Sequence, residues 1–295
     1  MALNSEQIDI LTSEYVAGLY EQMEQDVIND IARRVRKTER FTETAELMAK
    51  AMREQGYSTG KIRDAVFREV TTSPDYMQEI AENTKEYKQE VKAIIADTVA
   101  KAKIENNELV AQAGTMAWND DMQMWQQHDI DLKKPSNLSQ LRKAFEKQTM
   151  GELKNIAQTT AFRGTQVSAD TLNAYTRSVD LAILKAASGT FTAREASKSI
   201  IKDLAKGMRT IDYKSGRSYH LDTAVRMSLR TGVSQLAGKI TEENMKTTGA
   251  SLVYVDAHAG ARPEHAEWQG KVYTYEGKPS KKYPDFKEST GYGTV

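Results

Sequence analysis

Along residues 75–112, apolar side chains recur at steps of three and four, and this constrains the fold more than any other feature. Tyr76, Ile80, Tyr87, Val91, Ile94, Ile95, Val99 and Ala102 fall on one stripe, because 3.6 residues per turn bring i, i+4 and i+7 to the same face of a helix. Pro74 sits where such a helix opens. Its missing N–H costs nothing in a first turn, and its ring turns the residue before it away from helical geometry. A helix this long needs other helices to cover its stripe, and the preceding sequence supplies them. Ile8, Leu11, Tyr15, Leu19 and Met23 predict a helix over 6–40, a second covers 42–54 and stops at Gly56, and Ile62, Val66 and Val70 mark a third, ended by Thr-Thr-Ser-Pro at 71–74.

Beyond residue 112 the pattern continues with interruptions. Trp118, Trp125, Met116, Met122 and Met124 stand at near-helical spacing, which suits a core or an interface better than a cofactor box. Asp131 to Asn137, "DLKKPSN", is the expected linker of the front half. "NLSQ" at 137–140 and "TARE" at 192–195 have the form of capping boxes, the second introducing Ile200, Ile201, Leu204 and Met208. Ile211 and Tyr213 flank a Lys-Ser-Gly-Arg turn with Tyr219 beyond it, which predicts a short hairpin. A helix from Asp222 to about Lys246 should end at Gly249, followed by strands at 251–256 and 271–275 with a turn at 276–278. The expected fold is mainly α: an elongated helical N-terminal region with a small C-terminal α+β module.

Charge divides the chain where the linker falls. Residues 1–132 carry 15 Lys and Arg against 25 Asp and Glu, a net of −10, and residues 133–239 carry 19 against 8, a net of +11. Three segments are therefore expected: an acidic helical arm at 1–132, a basic helical region at 133–208, and the α+β module at 209–295. The stripes of the arm suit packing on a partner or on copies of itself as a homo-oligomer. There is no cysteine, which excludes disulfides and thiolate metal sites. The N-terminus lacks the basic flank and apolar run of a signal peptide, and no window approaches a membrane span of about 20 apolar residues. A soluble protein is expected.

Few chemical motifs survive inspection. "GVSQLAGKI" from Gly232 has five residues between its glycines and Ile240 after its lysine, so it is no phosphate loop. "HAE" at 265–267 has the spacing of the zinc deaminases but lacks their cysteines. His258 and His265 with Asp256, Glu264 or Glu267 could in principle hold a zinc; the plainer reading has both histidines hydrogen-bonded within a tight loop. Arg194, Lys198, Lys202, Lys206, Arg209, Lys214, Arg217, Arg226 and Arg230 are candidates for contacts to DNA or to an acidic partner. They come without any base-reading motif, so DNA binding would be independent of sequence. A solvated helical face is the alternative reading.

The stretch "HAGARPEHAEWQGKVY" from His258, with "YPDF" at 283–286 and "STGYGT" at 289–294, resembles the phage minor capsid protein 2 family and, more distantly, minor head proteins of the Mu F type. The matching positions are His258, Gly260, Ala261, Arg262, Pro263, His265, Trp268, Gln269, Gly270 and Lys271, then Tyr283, Pro284, Asp285, Phe286, Gly291, Tyr292 and Gly293. The likeness is close over about 209–294 and only general in the helical front. It implies a structural virion component, encoded near the portal gene and present in few copies, acting at the portal vertex in head assembly or DNA delivery. Portal and capsid are its implied partners. Neither catalysis nor a cofactor is implied, and its implied location is the phage head, after assembly in the host cytoplasm. Family members commonly continue past "GYGT" into a glycine-rich tail with cysteines and a histidine, whereas this sequence ends at Val295. A metal or hydrolytic site completed by that tail would be unfinished here. A sequence-independent DNA-binding ejection protein and a metal-dependent enzyme centred on His258 and His265 are the rival readings.

Overall fold

The computed structural model describes residues 3–12, 14–161, 169–208, 210–212, 217–257 and 263–291. Among these, eleven helices and four short strands follow one another: α1 (Ser5–Leu11), α2 (Glu14–Lys37), α3 (Glu39–Glu54), α4 (Thr59–Thr71), α5 (Pro74–Gln126), α6 (Leu138–Ala161), α7 (Ala169–Ser188), α8 (Ala193–Met208), β1 (Thr210–Asp212), β2 (Ser218–His220), α9 (Leu221–Thr248), β3 (Leu252–Val255), α10 (Pro263–Ala266), β4 (Lys271–Thr274) and α11 (Phe286–Thr290). The fold is mainly α, with a small C-terminal α+β region, as the periodicity predicts.

The structure departs from expectation at several points, three of them for identifiable reasons. The helix expected over 6–40 is broken, and α3 begins anew at Glu39 after Thr38, whose φ and ψ of −91° and 1° leave helical geometry. Thr38 Oγ1 donates to the Val35 carbonyl at 3.0 Å, a local bond that competes with helix propagation. By contrast, α5 runs on to Gln126. No proline interrupts 113–126, and Gly114 is the place where the Arg142 side chain packs: a Cβ there would lie 2.6 Å from Arg142 Nε. Trp118, Ala113 and Ala117 are buried, whereas Met116, Met122, Met124 and Trp125 are half-buried, so this stretch buries one face and leaves its methionines at the edge. At 137–140 the expected capping box gives way to another bond, Asn137 Nδ2 donating to Glu243 Oε2 at 3.1 Å. The box at 192–195 does form: Glu195 N–H donates to Thr192 Oγ1 at 3.3 Å, and Thr192 N–H donates back to Glu195 Oε2 at 3.0 Å.

Residues group into two compact units, each assembled from separated stretches. One comprises Met1–Ile8, Val110–Ala144 and Val233–Val295; the other comprises Asp9–Leu109 and Phe145–Gly232. In the second, α7 packs against α3, α4 and α8, and α2 and α3 pack on α8. Its core joins Val27, Ile31 and Val35 of α2, Phe41 and Ala45 of α3, the Ile62–Val66–Val70 stripe, and Tyr76 through Val91 of α5 to Tyr175, Val179, Ile183 and Ala186 of α7. Phe41 and Tyr76 meet edge to face, ring centroids 5.2 Å apart. The predicted hairpin is present as β1 and β2, antiparallel with Ile211 opposite Tyr219; its expected turn lies outside the described residues. In the first unit, β3 and β4 pair antiparallel, Leu252 opposite Thr274 and Val255 opposite Lys271.

Candidate functional site

The C-terminal motif residues are organised by strand β4. Tyr273, Thr274 and Tyr275 are buried, and Thr274 binds the following segment twice. Its N–H donates to the Pro284 carbonyl at 2.8 Å and its Oγ1 to the Tyr283 carbonyl at 2.9 Å. The Tyr-Pro-Asp-Phe run is thus strapped across the hairpin. Asp285 then caps α11 by accepting the Glu288 N–H at 2.9 Å, and Gly291, at φ +69°, ends that helix in a conformation glycine adopts without cost. The Phe286 ring sits 6.0 Å from Tyr273 and 5.8 Å from Tyr275, centroid to centroid.

The preceding half of the motif closes on the same strands. Gly270, at φ +69°, directs its N–H to the Val255 carbonyl at 2.7 Å. Tyr273 Oη donates to the Trp268 carbonyl at 2.9 Å, and Lys271 Nζ donates to the Glu267 carbonyl. The Trp268 ring lies 5.2 Å from that of His265. Pro263 and His265 are exposed, and Trp268 and Gln269 are half-buried, so the tryptophan ring lies at the edge of the core. His258, Gly260, Ala261, Arg262, Tyr292 and Gly293 fall outside the described residues. So does half of the two-histidine zinc site; among the described residues no three donors of His, Asp or Glu gather. Among the described motif residues, Gly270 and Gly291 make turns, Asp285 a cap, and Tyr283 and Pro284 a strap.

The basic residues separate into two kinds. Arg194, Lys198 and Lys202 are exposed on α8 at four-residue steps, one face of the helix, and carry no ion pair among the described residues. On α9, Arg226 faces Asp222 at 3.9 Å and Arg230 is paired with Asp9. Arg217 is exposed before β2. Arg209 and Lys214 lie outside the described residues, as does the side chain of Lys206. "GVSQLAGKI" is interior helix, with Leu236 and Ile240 fully buried.

Periodicity gives no hint of the buried polar groups. Arg34, its side chain 2% exposed, holds Asp30 at 2.7 Å and reaches Glu86 at 3.1 Å, while donating to the Asn83 carbonyl at 3.1 Å. Glu86 is held below the usual carboxylate range by hydrogen bonds from Arg34 and Lys37. In the other unit the fully buried Asn244 donates to the fully buried Asp121 at 2.8 Å. A charged residue inside a helical pattern reads as a solvated face unless its partners are known.

No curated protein and no solved structure matches the chain. The profile of the family described as phage minor capsid protein 2 matches residues 3–295, helical front included. The chain therefore belongs to the phage minor capsid protein 2 family and is a structural component of a phage capsid.

Proposed function

We propose that this protein is a minor head protein that docks on the portal, or on the capsid beside it, and helps head assembly or DNA delivery. Family membership gives the virion location and makes other structural proteins of the phage its partners. The observation that carries the finer reading is the face of α8. Arg194, Lys198 and Lys202 project into solvent without partners among the described residues, a line of charge suited to an acidic protein surface. Such a surface steers association and fixes orientation more than it adds affinity. The motif region supports a structural role as well, since its described residues are engaged in turns, capping and strapping.

Co-purification tests this. The portal protein should be retained by the tagged full-length chain from infected cells, and retention should fall sharply for Lys198→Glu/Lys202→Glu. The same ridge also suits phosphates, which makes DNA the second reading. DNA binding by this route would weaken with salt by about 0.9 in log K per log salt for each phosphate contacted, equally on unrelated sequences. Portal retention that ignores the double reversal would remove the α8 ridge from docking, and selective binding to one DNA site would defeat both readings.

A further inference from the structure

Between α6 and α9 lies an open recess of about 320 Å³ lined by Glu152, Asn155, Ile156, Met227, Ser228 and Thr231. We propose that it binds a single organic cation on an apolar stem, the chemistry of an arginine or lysine side chain presented by a neighbouring protein.

Three features specify that ligand. Among the described residues Glu152 is the one charged group in the lining, and it forms no ion pair with any of them. Its Oε2 accepts a hydrogen bond from Ser228 Oγ. Ser228 is only 7% exposed, so a buried hydroxyl fixes the carboxylate and leaves the other oxygen for an incoming donor. Ionised donors and acceptors form the stronger hydrogen bonds. The walls beside it are Ile156 and Met227. A methylene stem lies along such a surface while its head reaches the charge, and the flexible thioether of Met227, 40% exposed, adapts to stems of different length. The volume falls at the lower end of ordinary ligand sites.

The helices that form the recess approach closely next to it. Gly232 on α9 packs on Thr149 of α6 so closely that a Cβ would come within 2.3 Å of Thr149 Oγ1. Both walls of the recess therefore belong to helices rather than to a loop. It shares no residue with the α8 ridge, so its test and that of portal docking fail separately.

The experiment uses the full-length chain with labelled methionine and isoleucine methyl groups. Titration with Nα-acetyl-arginine N-methylamide should shift the Met227 and Ile156 resonances saturably. The capped citrulline analogue, equal in shape and uncharged, should leave them unmoved. Glu152→Gln should weaken binding at least tenfold, and Ser228→Ala should weaken it several-fold, with unchanged thermal melts. Spermidine provides the second arm. If it saturates these methyls through Glu152 while capped arginine does not, the ligand is a free polyamine and the side-chain assignment is overturned. Absence of saturable shifts with either cation, or equal shifts with citrulline, overturns the site itself. The citrulline comparison stands on the wild-type protein, so it decides even if a variant misfolds.

Discussion

Replacing Arg34 with methionine separates the charge of this buried residue from its bulk. The side chain is 2% exposed and Asp30 is 3% exposed, so both ends of the pair are out of water. Methionine keeps most of the aliphatic volume, and the change removes the guanidinium donors to Asp30, Glu86 and the Asn83 carbonyl. Asp30 is then left with Arg33, whose side chain is 57% exposed. Stripping one partner from a buried pair costs about 3–5 kcal/mol. Retention of Arg33 places Arg34→Met near the lower figure, about 3 kcal/mol. The Glu86 contact adds little, because that carboxylate is mostly in solvent and keeps Lys37 at 3.4 Å. Urea unfolding followed by circular dichroism measures the loss. It should be large against a total stability of about 5–15 kcal/mol. Asp30→Leu/Arg34→Met should lose less than Arg34→Met alone, because no charge is left buried without its partner. A loss below about 1 kcal/mol, the range of a surface pair, would refute the reasoning, as would a double variant as damaged as the sum of its parts.

Trp268→Ala should cost about 1–2 kcal/mol in the same assay, less than the roughly 3–5 kcal/mol of a core aromatic, because the ring is half-buried and its carbonyl bond to Tyr273 survives. Thr192→Ala should cost about 1 kcal/mol by removing the α8 cap. Glu195, which accepts from Thr192, titrates below its ordinary 4.5; its folded pKa is depressed, so its contribution is complete above that pH and fades as pH falls through the lowered value, as the pH dependence of the melt should show. Gly189→Ala should cost about 1–2 kcal/mol, since φ there is +74° and a Cβ would also crowd the Arg53 guanidinium. A fragment covering 138–295 tests whether the acidic arm is a separate unit: it lacks the α3 and α4 surfaces on which α7 packs, so its expected far-UV spectrum shows reduced helix and its melt no cooperative transition, and a cooperative melt would support a separate arm.

Much of this architecture was written as helical period. The Ile62–Val66–Val70 stripe is buried, as are Tyr76, Ile80, Tyr87, Val91 and Ala102 along α5, because burial of one face is what the spacing encodes. Tyr15 lies off its stripe and is 62% exposed. The importance of α7 was missed, although Tyr175, Val179, Ile183 and Ala186 repeat at steps of three and four and are all buried. Grouping was less legible still. Each compact unit draws on both ends of the charge division, and a stripe says which face is covered without saying by what. At the C-terminal motif, pattern picked out the glycine turns and the strands, whereas the strap between Thr274 and Tyr283–Pro284 is a tertiary bond with no period. The α8 ridge was legible as charge; that Arg226 and Arg230 are paired with carboxylates was not.

Cross-linking of assembled heads tests docking at the portal most directly. Heads of the phage that encodes this chain would be treated with an amine-reactive cross-linker and the linked peptides identified by mass spectrometry. The account predicts links from Lys198 or Lys202 to acidic, lysine-flanked surface of the portal protein or its capsid neighbours, lost when both lysines are replaced with glutamate and the chain no longer enters heads. Heads that retain the double variant at wild-type copy number, with the same links made from other lysines of the chain, would contradict it.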